Sequence, residues 1–284
     1  MSRQSHRQGE FPPAPQPLRV PVLDSHTHLD MVLAEASGGG GPGTVAAAVA
    51  TARAAGVDRL VQVGVDVPSS RWGVAVAHEH PAVVATVAIH PNEAPRLSDV
   101  DAALAEIDAL ATDPRVRGVG ETGLDTYRTG PEGKPAQETA FAAHIAIAKR
   151  YGRTLVIHDR DAHTDILRVL DETGAPGAVV MHCFSGDVDF AAECVRRGFV
   201  LSFAGTVSFK SATALRVAAA ATPLEHLLVE TDAPFLTPMP YRGRPNAPYL
   251  IPLTVRALAA ATGTAEDVLC AAISATGERV FGPW

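Results

Sequence analysis

Short apolar runs alternate with longer amphipathic stretches from residue 20 onward. The runs are rich in β-branched residues, whereas the stretches between them are rich in alanine, as in Val45–Ala55 and Gln137–Tyr151. Strands buried on both faces are continuously apolar, and their alternation with helices indicates a parallel sheet. The predicted strands are Val20–Asp24, Leu60–Val65, Val83–Ile89, Val116–Glu121, Thr154–His158, Ala178–His182, Phe199–Phe203 and Leu227–Asp232.

Eight strand–helix units in about 250 residues predict an α/β fold of the (β/α)8 TIM-barrel class. An open doubly wound sheet is the main alternative, but it usually has a glycine-rich fingerprint after its first strand, where this chain has His-Thr-His. The segment Leu250–Phe281 predicts two extra C-terminal helices, divided near Gly263. We expect residues 1–19 to be a flexible proline-rich tail and residues 20–284 to be a single barrel domain.

The charge balance restricts the class of partner. Lysine and arginine total 24 against 31 aspartate and glutamate, a net charge of −7, so a generally basic surface for duplex DNA is excluded. A local cationic pocket is still compatible with this balance. The three cysteines form no CxxC pair, and no apolar run approaches the ~20 residues of a membrane span. These features predict a cytoplasmic protein with reduced thiols.

Side chains that bind metals follow five of the predicted strands. They are His26 and His28 after the first strand, Glu121, His158 and His182 at the ends of the fourth, fifth and sixth, and Asp232 at the end of the eighth. In a barrel these strand ends converge on one mouth, where catalytic residues lie. Burying such groups unpaired costs several kcal/mol, so their recurrence favours a metal centre over solvated strand ends.

The number of candidate ligands indicates two divalent ions. Six ligands exceed one tetrahedral site, and residues two apart in a strand, such as His26 and His28, face the same side. We expect His26, His28 and Asp232 at one ion, His158 and His182 at the other, and Glu121 as the bridge. Two ions ~3.5–4 Å apart can share a hydroxide and hold a phosphoryl group. The ligand types leave Mg²⁺, Mn²⁺ and Zn²⁺ open.

Five segments resemble the TatD family of metal-dependent deoxyribonucleases, which belongs to the amidohydrolase-like barrels. They are Asp24–Asp30 (DSHTHLD), Gly120–Asp125 (GETGLD), His158–Ala162 (HDRDA), His182–Gly186 (HCFSG) and Glu230–Leu236 (ETDAPFL), in the family's order. The resemblance implies a one- or two-metal site on the six residues above. It also implies hydrolysis of DNA, often 3′→5′ on single strands. Two positions depart from the family: Asn92 stands for the second histidine of His-Pro-His, and Ala247 stands for a glutamate.

Roles beyond metal binding are assigned to a wider set of residues. Asp232 is expected to orient or deprotonate the attacking water, or to act as a ligand only, and Glu121 is expected to share in catalysis by bridging. Arg160 is expected to bind a phosphate oxygen, or else to pair with Asp159 or Asp161. The other expected substrate-binding residues are Arg242 and Asn246, and those expected behind the ligands are His90 and Asp125.

Several residues are left with open or ordinary roles. Glu230 is expected either behind the ligands or in a lower layer of the barrel. His144, on the predicted helix Gln137–Tyr151, is expected to be an ordinary surface or helix-end residue. Tyr127 and Phe235 are candidates for base stacking, with packing as the alternative.

Two other functions are compatible with the same ligands. The metals could polarise the carbonyl of a lactone, a cyclic amide or an aminoacyl ester, or the protein could be a metal-binding scaffold without catalysis. The cationic residues Arg160 and Arg242 favour phosphate, and six intact ligands argue against a scaffold. The sequence therefore predicts a deoxyribonuclease whose partner is single-stranded DNA.

Overall fold

Eight parallel strands are hydrogen-bonded in chain order in the computed structural model, which describes residues 9–37 and 40–284. The strands are β1 (Val22–Thr27), β2 (Val57–Val63), β3 (Val83–Val87), β4 (Val116–Asp125), β5 (Thr154–Arg160), β6 (Val179–Met181), β7 (Val200–Phe203) and β8 (Leu227–Val229). Helices lie between successive strands, so the predicted TIM barrel is confirmed.

The barrel closes through the chain that follows β8. The Asp232 N–H donates to the His26 carbonyl at 2.9 Å, and the His28 N–H donates to the Ala233 carbonyl at 2.8 Å. A parallel bridge joins Thr27 to Ala233. Residues that carry candidate ligands therefore also close the barrel.

Ten α-helices occur in the described part of the chain. They are α1 (Leu29–Ala36), α2 (Val45–Ala54), α3 (Val67–Glu79), α4 (Val100–Leu110), α5 (Lys134–Tyr151), α6 (His163–Thr173), α7 (Val188–Arg196), α8 (Thr213–Ala221), α9 (Ile251–Thr262) and α10 (Glu266–Phe281). Gly263 adopts a left-handed conformation after α9 and ends it, which confirms the two predicted C-terminal helices. α10 packs closely on β1, because a Cβ at Gly277 would lie 2.6 Å from the Leu23 side chain.

The cysteines and the apolar helices are the features that bear on the expectations of reduced thiols and of no membrane span. The three cysteines are free thiols. Within the described ranges, no single helix is long and apolar enough to cross a membrane. The pair Pro248–Thr262 and Glu266–Phe281 meets that length and composition only together, with a bend of 108° between its members.

The expectation of a flexible tail over residues 1–19 is wrong for its second half, while residues 1–8 lie outside the described part. Phe11 is only 7% exposed and packs in an apolar cluster with Tyr249. The Tyr249 hydroxyl donates to the Pro12 carbonyl at 2.6 Å, and the Arg244 guanidinium donates to the Glu10 carbonyl at 2.8 Å. A proline-rich segment has no helical or strand periodicity, but its carbonyls and its aromatic side chain can still be bound.

Phe11→Ala is therefore expected to lower the free energy of unfolding by about 3 kcal/mol, through lost burial and a cavity. Urea denaturation measures this change in the free energy of unfolding, provided that the m-value is the same in both proteins. Leu97→Ala, at a position 38% exposed, is the control and should change stability by less than about 0.5 kcal/mol. Equal, small effects of both substitutions would contradict a packed N-terminal segment.

Candidate metal centre

The predicted ligands meet at the C-terminal mouth of the barrel, where four of them form a first cluster. The Nε2 atoms of His26 and His28 lie 3.3 Å apart. Glu121 Oε2 lies 3.5 Å from His26 Nε2 and 3.8 Å from His28 Nε2. Asp232 Oδ1 lies 3.9 Å and 3.5 Å from the same two nitrogens. Two imidazoles and two carboxylates thus face one small volume.

The other oxygen of Glu121 faces a second cluster. Glu121 Oε1 lies 2.6 Å from His158 Nδ1, 3.3 Å from His182 Nε2 and 3.4 Å from His90 Nε2. Glu121 is 4% exposed, so its charge is almost entirely removed from solvent. Its two oxygens therefore point to two separate groups of imidazoles, which is the geometry of a bridging carboxylate.

Acceptor oxygens lie behind three of the imidazoles. His28 Nδ1 donates to the Val63 carbonyl at 3.1 Å. His182 Nδ1 lies 2.8 Å from Glu230 Oε1, and His158 Nε2 lies 3.3 Å from Asp125 Oδ2. An acceptor on the outward nitrogen keeps the proton there and leaves a lone pair on the inward nitrogen. Each of these rings thus has an acceptor where a metal-binding histidine commonly has one, which makes it a candidate ligand.

Inward lone pairs would repel each other and the carboxylate oxygens, so positive charge, as a metal ion or as a proton, is needed among them. Burial lowers the pKa of His158, but the Asp125 and Glu121 carboxylates outweigh burial and raise it to about 9. Burial raises the pKa of Glu121, but His90, His182 and His158 outweigh it and hold that pKa well below its ordinary value. The site is thus built to hold positive charge, and a buried set of histidines and carboxylates of this kind fits a divalent metal ion.

His90 is close to the second cluster but is not oriented as a ligand. The backbone N–H of Asn92 donates to His90 Nδ1 at 3.0 Å, so the hydrogen of the neutral ring is on Nε2, facing Glu121. Burial lowers the pKa of His90 and favours this neutral ring. His90 Nε2 can therefore donate to Glu121 Oε1, and its role behind the ligands stays a prediction.

Asp125 connects the candidate ligand His158 to the loop after β4. Its Oδ1 accepts the backbone N–H groups of Tyr127 and Arg128, at 3.0 and 2.8 Å. Its Oδ2 accepts from the Asn92 side-chain amide at 2.8 Å. Asn92, where the family has histidine, thus supports both Asp125 and His90.

Glu230 lies behind the ligands, which decides between its two predicted positions. It is 0% exposed, and its Oε1 also accepts the Cys183 N–H at 2.9 Å. Asp24, another buried acid near the site, accepts the Thr231 N–H at 2.9 Å and so joins β1 to the end of β8. Burial outweighs its hydrogen bonds and raises the pKa of Asp24 to about 8.

The interpretation of His144 as an ordinary surface or helix-end residue is wrong. It is fully buried, its Nε2 accepts the Ile89 N–H at 3.2 Å, and its Nδ1 lies 2.8 Å from Thr122 Oγ1. It joins the ends of β3 and β4, next to His90 and Glu121. The signal was present in α5, because Gln137, Phe141, His144 and Ala148 recur at helical spacing on its buried face.

Unusual backbone conformations concentrate at this mouth. Asp161, Cys183 and Asp232 have φ values of 56°, 45° and 51°, and they follow the ends of β5, β6 and β8. Such conformations cost about 1–3 kcal/mol for residues other than glycine and concentrate at functional sites. Gly123 has a φ of 134°, and any Cβ there would collide with the His158 carbonyl, so glycine allows β4 to approach β5.

The three predicted substrate-binding residues lie in different environments. The Arg160 guanidinium stacks on Tyr127 at 4.2 Å and makes no ion pair with Asp159 or Asp161. Arg242 stacks on Phe209 at 4.5 Å. The prediction that Asn246 binds substrate is wrong. Asn246 is fully buried, its side-chain amide donates to the Thr231 and Phe235 carbonyls, and its side-chain oxygen accepts the Ala247 N–H. All polar atoms of that side chain are engaged with backbone, so Asn246 supports the β8 loop.

Comparison with known proteins places this site in a family. Residues 23–282 match the sequence profile described as TatD related DNase. The chain belongs to this family. A Mycobacterium tuberculosis protein named "Uncharacterized metal-dependent hydrolase TatD" is 45% identical over 265 residues, covering 92% of this chain and 98% of that protein.

Two further relatives of this TatD-family chain are informative. A Citrobacter rodentium protein named "3'-5' ssDNA/RNA exonuclease TatD" is 36% identical and covers 81% of this chain and 89% of its own. The crystal structure of the Escherichia coli TatD homologue YjjV superposes with a TM-score of 0.82 at 25% identity, covering 92% of this chain and 97% of that chain.

Glu230→Gln is expected to weaken divalent metal binding about 10- to 100-fold, because the outward nitrogen of His182 loses its anionic acceptor. Isothermal titration with Zn²⁺ or Mn²⁺ against a competing chelator measures the change. Glu172→Gln, at an exposed position on α6, is the matched control and should bind like the wild type. Indistinguishable affinities in all three proteins would remove Glu230 from the site.

His144 is expected to make stability depend on pH. Burial lowers its pKa to about 3 in the folded state, so below pH 6.5 the unfolded chain takes up the proton first and folding becomes less favourable. The contribution is about 2 kcal/mol between pH 7 and pH 5. In His144→Gln this part of the pH dependence should vanish, as measured by urea denaturation in chelator at both pH values. If the free energy of unfolding changes equally between pH 7 and pH 5 in both proteins, the prediction for His144 is wrong.

Proposed function

We propose that this protein is a metal-dependent phosphodiesterase that degrades single-stranded DNA in the 3′→5′ direction. The observation that carries the proposal is Glu121, whose two buried oxygens face two groups of inward-pointing imidazoles. In this proposal His26, His28 and Asp232 would hold one divalent ion, His158 and His182 would hold the other, and Glu121 would serve both. Mg²⁺, Mn²⁺ and Zn²⁺ are the candidate ions.

Bound there, divalent ions would supply a Lewis acid for the phosphoryl oxygens and would lower the pKa of a water at the site. The chain supplies their positions. Val63, Glu230 and Asp125 hold the outward nitrogens of three ligand rings, and His90 holds Glu121. These partners keep the ligands in place before substrate arrives.

Asp232 is the residue we assign to proton transfer. Its side chain is 14% exposed, against 5% for Glu121, so it is the carboxylate nearer to solvent and substrate. Burial raises the pKa of Asp232, but His28, His182 and His26 outweigh burial and lower it, which keeps the group ionised at neutral pH. An ionised carboxylate beside the reacting water can orient it and accept its proton.

Phosphate is favoured over a carbonyl substrate by the cation beside the ligands. Arg160 follows His158 by two residues on β5, so both side chains emerge on the same side of the strand. Its guanidinium is not paired with a carboxylate in the described ranges, and a planar fork of N–H donors matches phosphate oxygens. Arg242, stacked on Phe209, is a second candidate contact for the strand.

The polarity and the preference for single strands rest on the relatives. Proteins from Citrobacter rodentium and Cronobacter turicensis that are 36% and 35% identical to this chain carry the name 3'-5' ssDNA/RNA exonuclease TatD. Their name includes RNA, so RNA strands belong in the same assay.

Asp232→Asn is expected to lower kcat on single-stranded DNA by at least about 10²-fold while leaving the fold intact, because it removes the proton acceptor. Oligonucleotides labelled at either end, resolved on sequencing gels, measure both rate and polarity. Circular dichroism checks the fold.

Asp161→Asn is the matched control, because it makes the same change of carboxylate to amide at an exposed position near the mouth. It should retain near-normal turnover. Chelation should abolish hydrolysis, and Mg²⁺, Mn²⁺ or Zn²⁺ should restore it. Turnover of a lactone panel without degradation of DNA or RNA would overturn the proposal in favour of a carbonyl substrate.

A further inference from the structure

Tyr127 is an exposed aromatic residue at the mouth of the barrel. Its side chain is 66% exposed, more than any other large hydrophobic or aromatic residue in the described ranges. It lies in the loop that follows β4, the strand that carries Glu121. An aromatic ring left in water at a strand end of a barrel contributes nothing to the core and is available to a ligand.

One face of the Tyr127 ring is covered by a cation. The Arg160 guanidinium carbon lies 4.2 Å from the ring centroid. A second arginine–tyrosine stack, Arg150 on Tyr151, is looser at 5.9 Å, and there Arg150 also binds the Asp108 carboxylate at 2.8 Å. That pair lies at the end of α5 that precedes β5, at the opposite end of the barrel. Of these two arginines, only Arg160 has no carboxylate bound to its N–H donors.

The Tyr127–Arg160 pair is connected to the candidate metal centre through Asp125. Asp125 Oδ1 accepts the Tyr127 N–H, while Asp125 Oδ2 faces the ligand His158. The Thr126 N–H donates to the Arg160 carbonyl at 3.1 Å, and Asp125 and Arg160 are register partners of β4 and β5. The loop is therefore ordered before any ligand binds, which lowers the entropic cost of binding.

We infer that Tyr127, with Arg160 stacked on its ring, is a nucleobase subsite that binds one nucleotide of the substrate strand beside the scissile phosphodiester. This inference rests on the proposed function and names how the strand is held. The ring stacks on a base, which every nucleotide offers, and Arg160 contacts the phosphate of the same strand. Stacking of this kind tolerates any sequence, and the local cation lets a protein with a net charge of −7 bind a polyanion.

The test compares two single strands of equal length and charge, oligo(dT) and an oligomer of abasic sites. For the wild type, KM should be lower for oligo(dT) than for the abasic strand. In Tyr127→Ala, KM for oligo(dT) should rise about 5- to 150-fold, so that the ratio of the two KM values falls toward one. Tyr127→Phe keeps the ring and should restore the wild-type ratio.

Arginine variants test the cation separately. Arg160→Met should raise KM for both strands, because phosphate is common to them. Arg150→Met removes an arginine that is also stacked on tyrosine but lies away from the mouth, and it should leave both KM values unchanged. Equal effects of the two arginine substitutions would overturn the assignment of Arg160.

Binding in chelator separates this inference from the proposed function. Fluorescence anisotropy of labelled oligo(dT) and labelled abasic strand gives both Kd values without turnover. If the wild type hydrolyses neither strand with any of the three metals, the proposed function fails, and the Kd ratio still decides the subsite. If Tyr127→Ala has the same Kd ratio and KM ratio as the wild type, the stacking subsite is refuted even when hydrolysis is normal.

Discussion

The buried charge of Glu121 is the constraint on which the rest of the site depends. A carboxylate at 4% exposure is costly unless cations or donors compensate it, and here imidazoles approach both of its oxygens. Acceptors also lie behind three of the surrounding rings, and a neutral ring that donates outward has no hydrogen left to donate to Glu121. The arrangement is satisfied only when additional positive charge, as metal ions or protons, occupies the mouth.

That requirement explains why so much of the surrounding structure is polar and yet fully buried. Glu230 and Asp24 are acids without solvent contact, and each fixes the end of a strand next to a ligand. His144 does the same for β3 and β4. The closure of the barrel belongs to the same system, because the Asp232 backbone bonds to β1. Fold and site therefore share their hydrogen bonds, and a substitution behind the ligands is felt in both.

The barrel and the set of candidate ligands could be predicted because both leave a local signal. A strand buried on two faces is apolar along its whole length, and a histidine or acid at its end is conspicuous. The partners behind the ligands leave a weaker signal. Glu230 lies two residues before Asp232, so spacing alone left two positions open for it. The burial of His144 is indicated only by its helical spacing with the other buried residues of α5. Because histidine is polar, that spacing is easily missed.

Asn246 and Phe11 show what local patterns do not carry. Asn246 lies among cationic loop residues, but its amide is engaged by three backbone groups, and only the folded loop brings those groups together. Phe11 lies in a proline-rich segment without periodicity, and its burial depends on Tyr249, far away in the chain. In both cases the partner is a backbone group or a surface made by tertiary structure. Composition counts charges and prolines, whereas the role of each residue depends on which donors and acceptors remain free after folding. By that criterion Arg160 and Tyr127 are available to a ligand, and Asn246 is not.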